Sequence, residues 1–262
     1  MKKAFSLVEL SIVLVILGLL TGGILAGQSL IRAAELRAVT TEYQRYFTAT
    51  QSFRDKYFAM PGDFNNAQAV WGQSTACSGS SATGTCNGNG DAQLTIGAAS
   101  ATGEMFQFWN QLALAGLIEG NYTGVAGSVA GGYDSVVGTN VPRSKIGGSG
   151  WSAQTVGSQP TGSPRIYAGD YGNAFGFGAQ KSGNTTSGAI LKPEEAWNID
   201  TKMDDGKPGS GRVMACSDNG WYNATTNPAS CTLSTVATDT VAGTYNLTNT
   251  SLACSLIFTK QF

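Results

Sequence analysis

The hydrophobic and polar positions divide the chain into a long, regular N-terminal segment and a much less regular remainder. Residues 10–26 contain no charged side chain. With the residues just before them they form an apolar run of about 22 residues, or about 33 Å as a helix. That length is sufficient to cross the hydrocarbon core of a bilayer. The pattern therefore predicts a membrane-spanning helix over residues 5–27.

Beyond Gly27 the pattern changes to a recurrence every three or four positions. The recurring residues are Leu36, Val39, Tyr43, Phe47, Thr50, Phe53 and Tyr57. Charged residues, among them Arg37, Glu42, Arg45 and Lys56, fall elsewhere on the helix. This spacing is typical of an amphipathic helix, and Pro61 and Gly62 end it. We therefore expect residues 28–58 to form a helix that packs under a globular head.

Residues 59–262 show weak periodicity and are rich in glycine, serine and threonine, which favours a β-rich head with long loops. One helix is expected over residues 103–118, and residues 119–165 are expected to form surface loops. Short strands are predicted at residues 163–167, 174–178, 211–216, 232–241 and 255–259. The predicted fold class is α+β, in which the long N-terminal helix packs against antiparallel strands of the head.

Charge and composition exclude several classes of function. The chain carries 16 basic and 17 acidic residues, so no overall field attracts nucleic acid. It contains no histidine, which removes the usual general base near neutral pH and the commonest transition-metal ligand. We therefore predict that the protein is not an enzyme. A membrane-tethered hydrolase that uses Asp204 and Asp205 is a disfavoured alternative.

The five cysteines lie beyond the apolar segment, and none is part of a C-x-x-C pair. An oxidising compartment is expected there, which favours disulfides over a zinc ribbon or a thioredoxin-type site. Two local bridges are the preferred pairing, Cys77 with Cys86 and Cys216 with Cys231, which leaves Cys254 free. The alternative pairs Cys254 with Cys216 or with Cys231.

Two stretches of the head could hold a metal ion through oxygen ligands. Residues 200–206 place Asp200, Asp204 and Asp205 near a tight turn, and oxygen ligands of this kind suit calcium. Residues 87–91 alternate oxygen-bearing side chains with glycines. Neither stretch has EF-hand spacing, and a turn with solvated carboxylates is the simpler interpretation. Calcium is thus a candidate cofactor, more at the first stretch than at the second.

The N-terminus carries the most specific motif of the chain. Lys2-Lys3-Ala4 precedes Phe5-Ser6-Leu7-Val8-Glu9-Leu10, and the apolar run follows. Glu9 is a carboxylate at the edge of a membrane segment, where such residues are candidates for function. The spacing from Ser6 to Glu9 equally fits a capping box at a helix start. The chemistry of these residues leaves both interpretations open.

This arrangement resembles the type IV prepilin signal, and the resemblance covers only the N-terminal segment. In that family a prepilin peptidase cuts before the phenylalanine, here between Ala4 and Phe5, and the new amine is methylated. The resemblance implies that residues 1–4 are a leader and that Glu9 pairs with the terminal amine of a neighbouring subunit. The sequence departs from the family in having Ala4 where glycine is usual, and in lacking the proline common within pilin helices.

The resemblance implies a structural subunit of a type IV pilus-like filament. The implied partners are other pilins, the prepilin peptidase and an inner-membrane assembly machinery. The expected location is the bacterial inner membrane with a cytoplasmic N-terminus, which Lys2 and Lys3 favour, and later an extracellular pilus or a periplasmic pseudopilus. An adhesive role of the head, a minor pseudopilin of type II secretion and a DNA-uptake pilus are open alternatives. The alternative from another class is an anchored periplasmic binding domain that never polymerises.

Overall fold

A single uninterrupted helix dominates the N-terminal part of the molecule. The computed structural model describes residues 7–77, 84–95, 103–129, 133–159, 169–216, 230–233, 243–260 and 262. Helix α1 runs from Leu7 to Tyr57, which corresponds to about 75 Å at the usual rise per residue. The predicted long N-terminal helix is therefore confirmed.

The two halves of α1 differ sharply in exposure. Fifteen large apolar side chains between Leu7 and Ile31 are exposed, and this part of α1 is long and apolar enough to cross a membrane. In the second half one face is buried, and it consists of Val39, Glu42, Tyr46, Ala49, Thr50 and Phe53. The change from a uniformly apolar to an amphipathic pattern thus coincides with the point at which α1 begins to contact the head.

The described part of the head contains three further helices and six strands. The helices are α2 (Ala67–Trp71), α3 (Glu104–Leu114) and α4 (Pro193–Met203). The strands are β1 (Ser149–Thr155), β2 (Ser158–Gln159), β3 (Gly169–Asp170), β4 (Asn173–Ala179), β5 (Val213–Cys216) and β6 (Ser255–Phe258). A short 3-10 helix spans Thr75–Cys77.

Four strands form an antiparallel sheet in the order β1-β4-β6-β5. The register places Trp151 of β1 opposite Phe177 of β4, and Phe177 opposite Leu256 of β6. Strands β2 and β3 form a separate antiparallel pair. A long N-terminal helix and a small antiparallel sheet confirm the α+β class at this level.

Aromatic side chains fill the core between α1, α3 and the sheet. The ring of Tyr46 lies 5.1 Å from that of Trp109 and 5.7 Å from that of Trp151, both in edge-to-face geometry. The ring of Trp151 lies 5.4 Å from that of Phe258. Edge-to-face contacts are favourable for aromatic pairs, so the aromatic positions of α1 are its packing face against the sheet.

Strand β1 and helix α4 were not predicted. Strand β1 lies within residues 119–165, which were expected to form loops, because its serine and glycine residues have low β-propensity. Its core face is nevertheless apolar, since Trp151 and Ala153 are fully buried. Helix α4 begins with Pro193, and the Glu195 carboxylate accepts a hydrogen bond from the backbone N–H of Lys192 at 2.9 Å. Proline at the first position of a helix is a signal that is readable in sequence.

The other sequence predictions of local structure agree with the structure in part. Predicted strand 174–178 lies within β4, and predicted strands 211–216 and 255–259 contain β5 and β6. The helix predicted over residues 103–118 is α3, which ends earlier, at Leu114. Residues 163–167 and 234–241 lie outside the described residues, and Thr232 forms one isolated bridge with Tyr245.

The disulfide pairing departs from the preferred prediction. Cys77 is bonded to Cys86 as predicted, but the second bridge joins Cys231 to Cys254, the alternative pairing, and Cys216 is free and buried. The predicted Cys216–Cys231 bridge is therefore wrong. The reason is the alternation of side chains along a strand. Cys216 packs with Met214 on one face of the sheet, whereas Cys231 and Cys254 belong to the core on the other face.

Candidate functional site

The largest candidate site is the exposed apolar surface of α1 over residues 7–31. Each residue from Leu7 to Ala26 is exposed. Leaving a large apolar side chain in water costs about 1.5–3 kcal/mol relative to burying it, and fifteen such side chains lie here. Monomeric soluble proteins rarely expose apolar patches of this extent. This surface therefore favours lipid or other protein chains as its surroundings by tens of kcal/mol.

Glu9 lies in the first turn of α1 and is exposed at the start of this surface. A carboxylate in the first turn interacts favourably with the helix dipole, which is compatible with both interpretations of this residue. Ala4 and Phe5, the predicted cleavage and methylation site, and Ser6 of the predicted capping box lie outside the described residues. The predicted roles of all four residues stay predictions.

Glu42 fixes the second half of α1 to the sheet. Its buried carboxylate accepts hydrogen bonds from Nε1 of Trp151 at 2.8 Å and from the backbone N–H of Lys145 at 3.0 Å. Hydrogen bonds to a charged group contribute about 1.5–3 kcal/mol. The sequence pattern left Glu42 off the packing face, because a charged residue scores as polar even when distant donors satisfy it.

Arg32 ties α1 to α4 at the boundary between the exposed and the packed half of the helix. Its guanidinium donates to both carboxylate oxygens of Glu195, at 2.6 and 2.7 Å, and to the carbonyl of Ile190 at 3.1 Å. Burial alone would raise the pKa of Glu195. Hydrogen bonds from Arg32 and from the backbone of Lys192 outweigh burial, so the pKa lies below its usual value. This bidentate pair fixes the direction in which α1 leaves the head.

The structure brings together the three aspartates of the predicted metal site. Carboxylate oxygens of Asp200, Asp204 and Asp205 lie within 4.8 Å of one another. Asp200, at the end of α4, is fully buried and accepts hydrogen bonds from the hydroxyl of Tyr245 at 2.8 Å and the N–H of Gly206 at 3.2 Å. The cluster thus combines one buried carboxyl with two more accessible carboxylates.

Protein donors already engage the two more accessible carboxylates. Asp204 accepts hydrogen bonds from the backbone N–H groups of Arg212 and Val213. Asp205 accepts one from the hydroxyl of Ser210 at 2.6 Å. These contacts account for the aspartates as organisers of the turn that follows α4. The carboxylates are nevertheless the ligand type that calcium takes, so calcium at Asp200, Asp204 and Asp205 stays a prediction.

The stability of the head should fall as pH rises, because of Asp200. Burial, with smaller contributions from the charges of Asp205 and Asp204, raises its pKa to about 7, whereas an unfolded aspartate has a pKa of about 3.9. Between these values the folded state binds the proton more tightly, so the free energy of unfolding is highest at low pH. As pH rises, the contribution of Asp200 to the free energy of unfolding falls by up to about 1.4 kcal/mol per pH unit, until the pH reaches the pKa of Asp200 in the folded state.

We therefore expect the melting temperature of the full chain in detergent to be several degrees lower at pH 8 than at pH 5. Asp200→Asn should remove most of this difference, and Asp170→Asn, at an exposed aspartate, should keep it. If calcium binds the cluster, millimolar calcium should raise the melting temperature at pH 8, and a chelator should reverse the effect. Equal pH dependence in the wild type and Asp200→Asn would contradict this account.

A second acidic cluster lies where residues 87–91 were a weaker metal candidate. Asp91 of this stretch meets Asp63 and Glu104, with carboxylate oxygens within 4.8 Å of one another. Sequence reasoning missed Asp63 and Glu104 because they come from distant segments. Asp63 accepts hydrogen bonds from the N–H groups of Gly90, at 2.5 Å, and Ala92, at 2.7 Å. Backbone donors therefore hold this loop around the carboxylates, and calcium here also stays a prediction.

Comparison with known proteins assigns no family or function to the chain. No protein-family model, curated protein or solved structure matches the chain significantly. Its function must therefore be argued from the exposed half of α1, the contacts that fix the other half, and the N-terminal motif.

Proposed function

We propose that the protein is a structural subunit of a type IV pilus-like filament. The observation that carries the proposal is the division of α1. Its first half exposes an apolar surface that needs lipid or protein around it, while its second half is fixed to a folded head. The prepilin-like motif around Ala4 and Phe5 supports the same function.

Membrane and filament would cover the same surface at different times. Before assembly, residues 5–27 span the inner membrane, and residues 1–4 face the prepilin peptidase in the cytoplasm. After cleavage the apolar helix packs against the helices of neighbouring subunits. Lipid tails are as apolar as those helices, so the hydrophobic effect alone does not drive this exchange. Extraction from the membrane therefore requires a separate assembly machinery.

Glu9 would set the register between neighbouring subunits. A carboxylate surrounded by apolar side chains is costly, and so is a terminal amine. Pairing the carboxylate of one subunit with the Phe5 amine of the next removes both costs at a single axial position. An unpaired buried charge penalises every other register, so the pair would specify the geometry of the filament.

The contacts of Glu42 and Arg32 would transmit that geometry to the surface. Glu42 anchors α1 to β1, and Arg32 anchors it to Glu195 at the start of α4. Because the head is fixed to α1 at both places, the packing of helices in the filament core determines how the heads are presented outside.

Fractionation tests the proposal in cells that express the chain together with a pilus assembly machinery. We expect peptides of the head in filaments sheared from the cells, or in periplasmic filaments if the assembly is a pseudopilus. Cells that lack the prepilin peptidase are the matched control and should keep the chain in the membrane. A chain that stays in the membrane in both strains would support the anchored binding domain instead.

A further inference from the structure

Phe58, the residue after α1, has an unusual backbone conformation. Its φ is +52°, and its N–H continues the helical pattern by donating to the carbonyl of Arg54 at 2.9 Å. Glycine normally occupies the left-handed position after a helix, because a side chain is sterically disfavoured there. The phenyl ring is 93% exposed, so packing within the head does not compensate for the strain. Uncompensated backbone strain is a pointer to function.

The exposed ring borders a cavity at the end of α1 that is farthest from the apolar segment. The cavity has a volume of 710 Å³, within the range of small-molecule sites, about 300–1,000 Å³. Six polar side chains also line it: Gln51, Arg54, Asp55, Asp63, Asn65 and Asn173. The arrangement is therefore a polar recess with one aromatic ring at its mouth.

Three of these polar groups are available to a ligand. Arg54, Asp55 and Asn65 are exposed, and within the described part of the chain their side chains form no ion pair or hydrogen bond. The guanidinium only donates, the carboxylate only accepts, and the amide does both. The charges of Arg54 and Asp55 cancel, and Asp63, the other charged side chain of the lining, is buried and accepts hydrogen bonds from the N–H groups of Gly90 and Ala92. The exposed part of the recess therefore favours a neutral ligand that carries several groups able to donate and accept.

We propose that this recess binds a neutral saccharide. The face of an aromatic ring carries negative charge density and attracts polarised C–H groups, so the Phe58 ring would stack on the C–H face of a sugar. Arg54, Asp55 and Asn65 would hydrogen-bond its hydroxyl groups. A protein partner is normally held by a cluster of several anchor residues. Phe58 is the one exposed large apolar side chain among the described lining residues, so the recess fits a small ligand better than a protein surface. This inference goes beyond filament assembly and would give the head an adhesive function.

Saturation-transfer NMR on the full chain tests the proposal, in a detergent without a sugar headgroup. The probes are lactose, maltose and N,N′-diacetylchitobiose, each at about 10 mM. At least one should receive saturation on its ring C–H protons, with a dissociation constant of about 1 mM. Phe58→Gly should abolish the transfer and raise the melting temperature by about 2 °C or more, because glycine relieves the strain. Loss of binding in a more stable variant cannot be due to misfolding.

Two control variants sharpen the result. Phe58→Trp keeps an aromatic face and should retain binding. Leu252→Ala removes an apolar side chain that is 52% exposed outside the recess, and should change nothing.

Absence of transfer from all three sugars overturns the proposal, and so does transfer that Phe58→Gly leaves intact. Loss of self-association in Phe58→Gly, without sugar binding by the wild type, would assign the ring to a contact between copies. Filament incorporation of Phe58→Gly should be normal. Failure of the saccharide proposal can therefore be distinguished from failure of the filament proposal.

Discussion

Glu9→Gln should reduce incorporation of the chain into filaments by at least about tenfold, while the chain stays in the membrane fraction. This substitution separates the two interpretations of Glu9, because a capping box accepts glutamine as readily as glutamate. Helix initiation is therefore preserved and only the charge is lost. In the proposed filament, loss of the charge would leave the amine of the neighbouring subunit unpaired among apolar side chains, which would penalise assembly.

The matched control for Glu9→Gln is Glu35→Gln on the same helix. Glu35 is half-buried and pairs with Arg32 at 3.1 Å, and a partly exposed pair of this kind contributes about 1 kcal/mol at most. Filament incorporation of Glu35→Gln should be close to that of the wild type. Normal incorporation of Glu9→Gln would remove the registration role and leave Glu9 as a residue of the helix start.

Trp151→Ala should lower the free energy of unfolding by about 3–5 kcal/mol, the largest stability effect of a single substitution that we expect. The Trp151 ring is fully buried, and its centroid lies 5.0 Å from Phe177 and 5.4 Å from Phe258. Truncation would leave a cavity between α1 and the sheet and would remove a donor from the buried Glu42 carboxylate. Thermal unfolding of the full chain in detergent, followed by near-ultraviolet circular dichroism, measures the loss.

Trp151→Phe separates the hydrogen bond from the packing. It keeps an aromatic ring but removes Nε1, and should cost about 1.5–3 kcal/mol. A double-mutant cycle with Glu42→Gln should show coupling, since the two side chains are in direct contact. Trp197→Ala is the control, because Trp197 is 38% exposed and should cost about 1 kcal/mol or less. A Trp151→Phe variant as stable as the wild type would show that Glu42 does not fix α1 to the sheet.

The features that could be predicted from sequence depend on short-range regularity. The period of three to four residues from Leu36 to Tyr57 identifies the packing face of α1, because side chains at that spacing share a helix face. The apolar run before Gly27 identifies the exposed half for the same local reason. The Cys77–Cys86 bridge follows from the short loop that it closes.

The features that could not be predicted depend on partners distant in the chain. Glu42 is on the packing face only because Trp151, 109 residues away, supplies a donor. The partner of Cys231 is decided by which face of the sheet each cysteine occupies, and Cys216 lies on the other face. No local pattern records either fact. The same limit applies to Asp63 and Glu104, which reach the loop around Asp91 from separate segments.

Intact-mass analysis of the mature chain, purified from cells that contain a prepilin peptidase, tests the central claim most directly. The account predicts a mass that lacks residues 1–4 and includes one added methyl group, which fragmentation should locate on the amine of Phe5. Ala4→Glu, which places a charge at the predicted cleavage junction, is a useful companion variant and should accumulate uncut. Mature wild-type protein that still begins at Met1 would contradict the account.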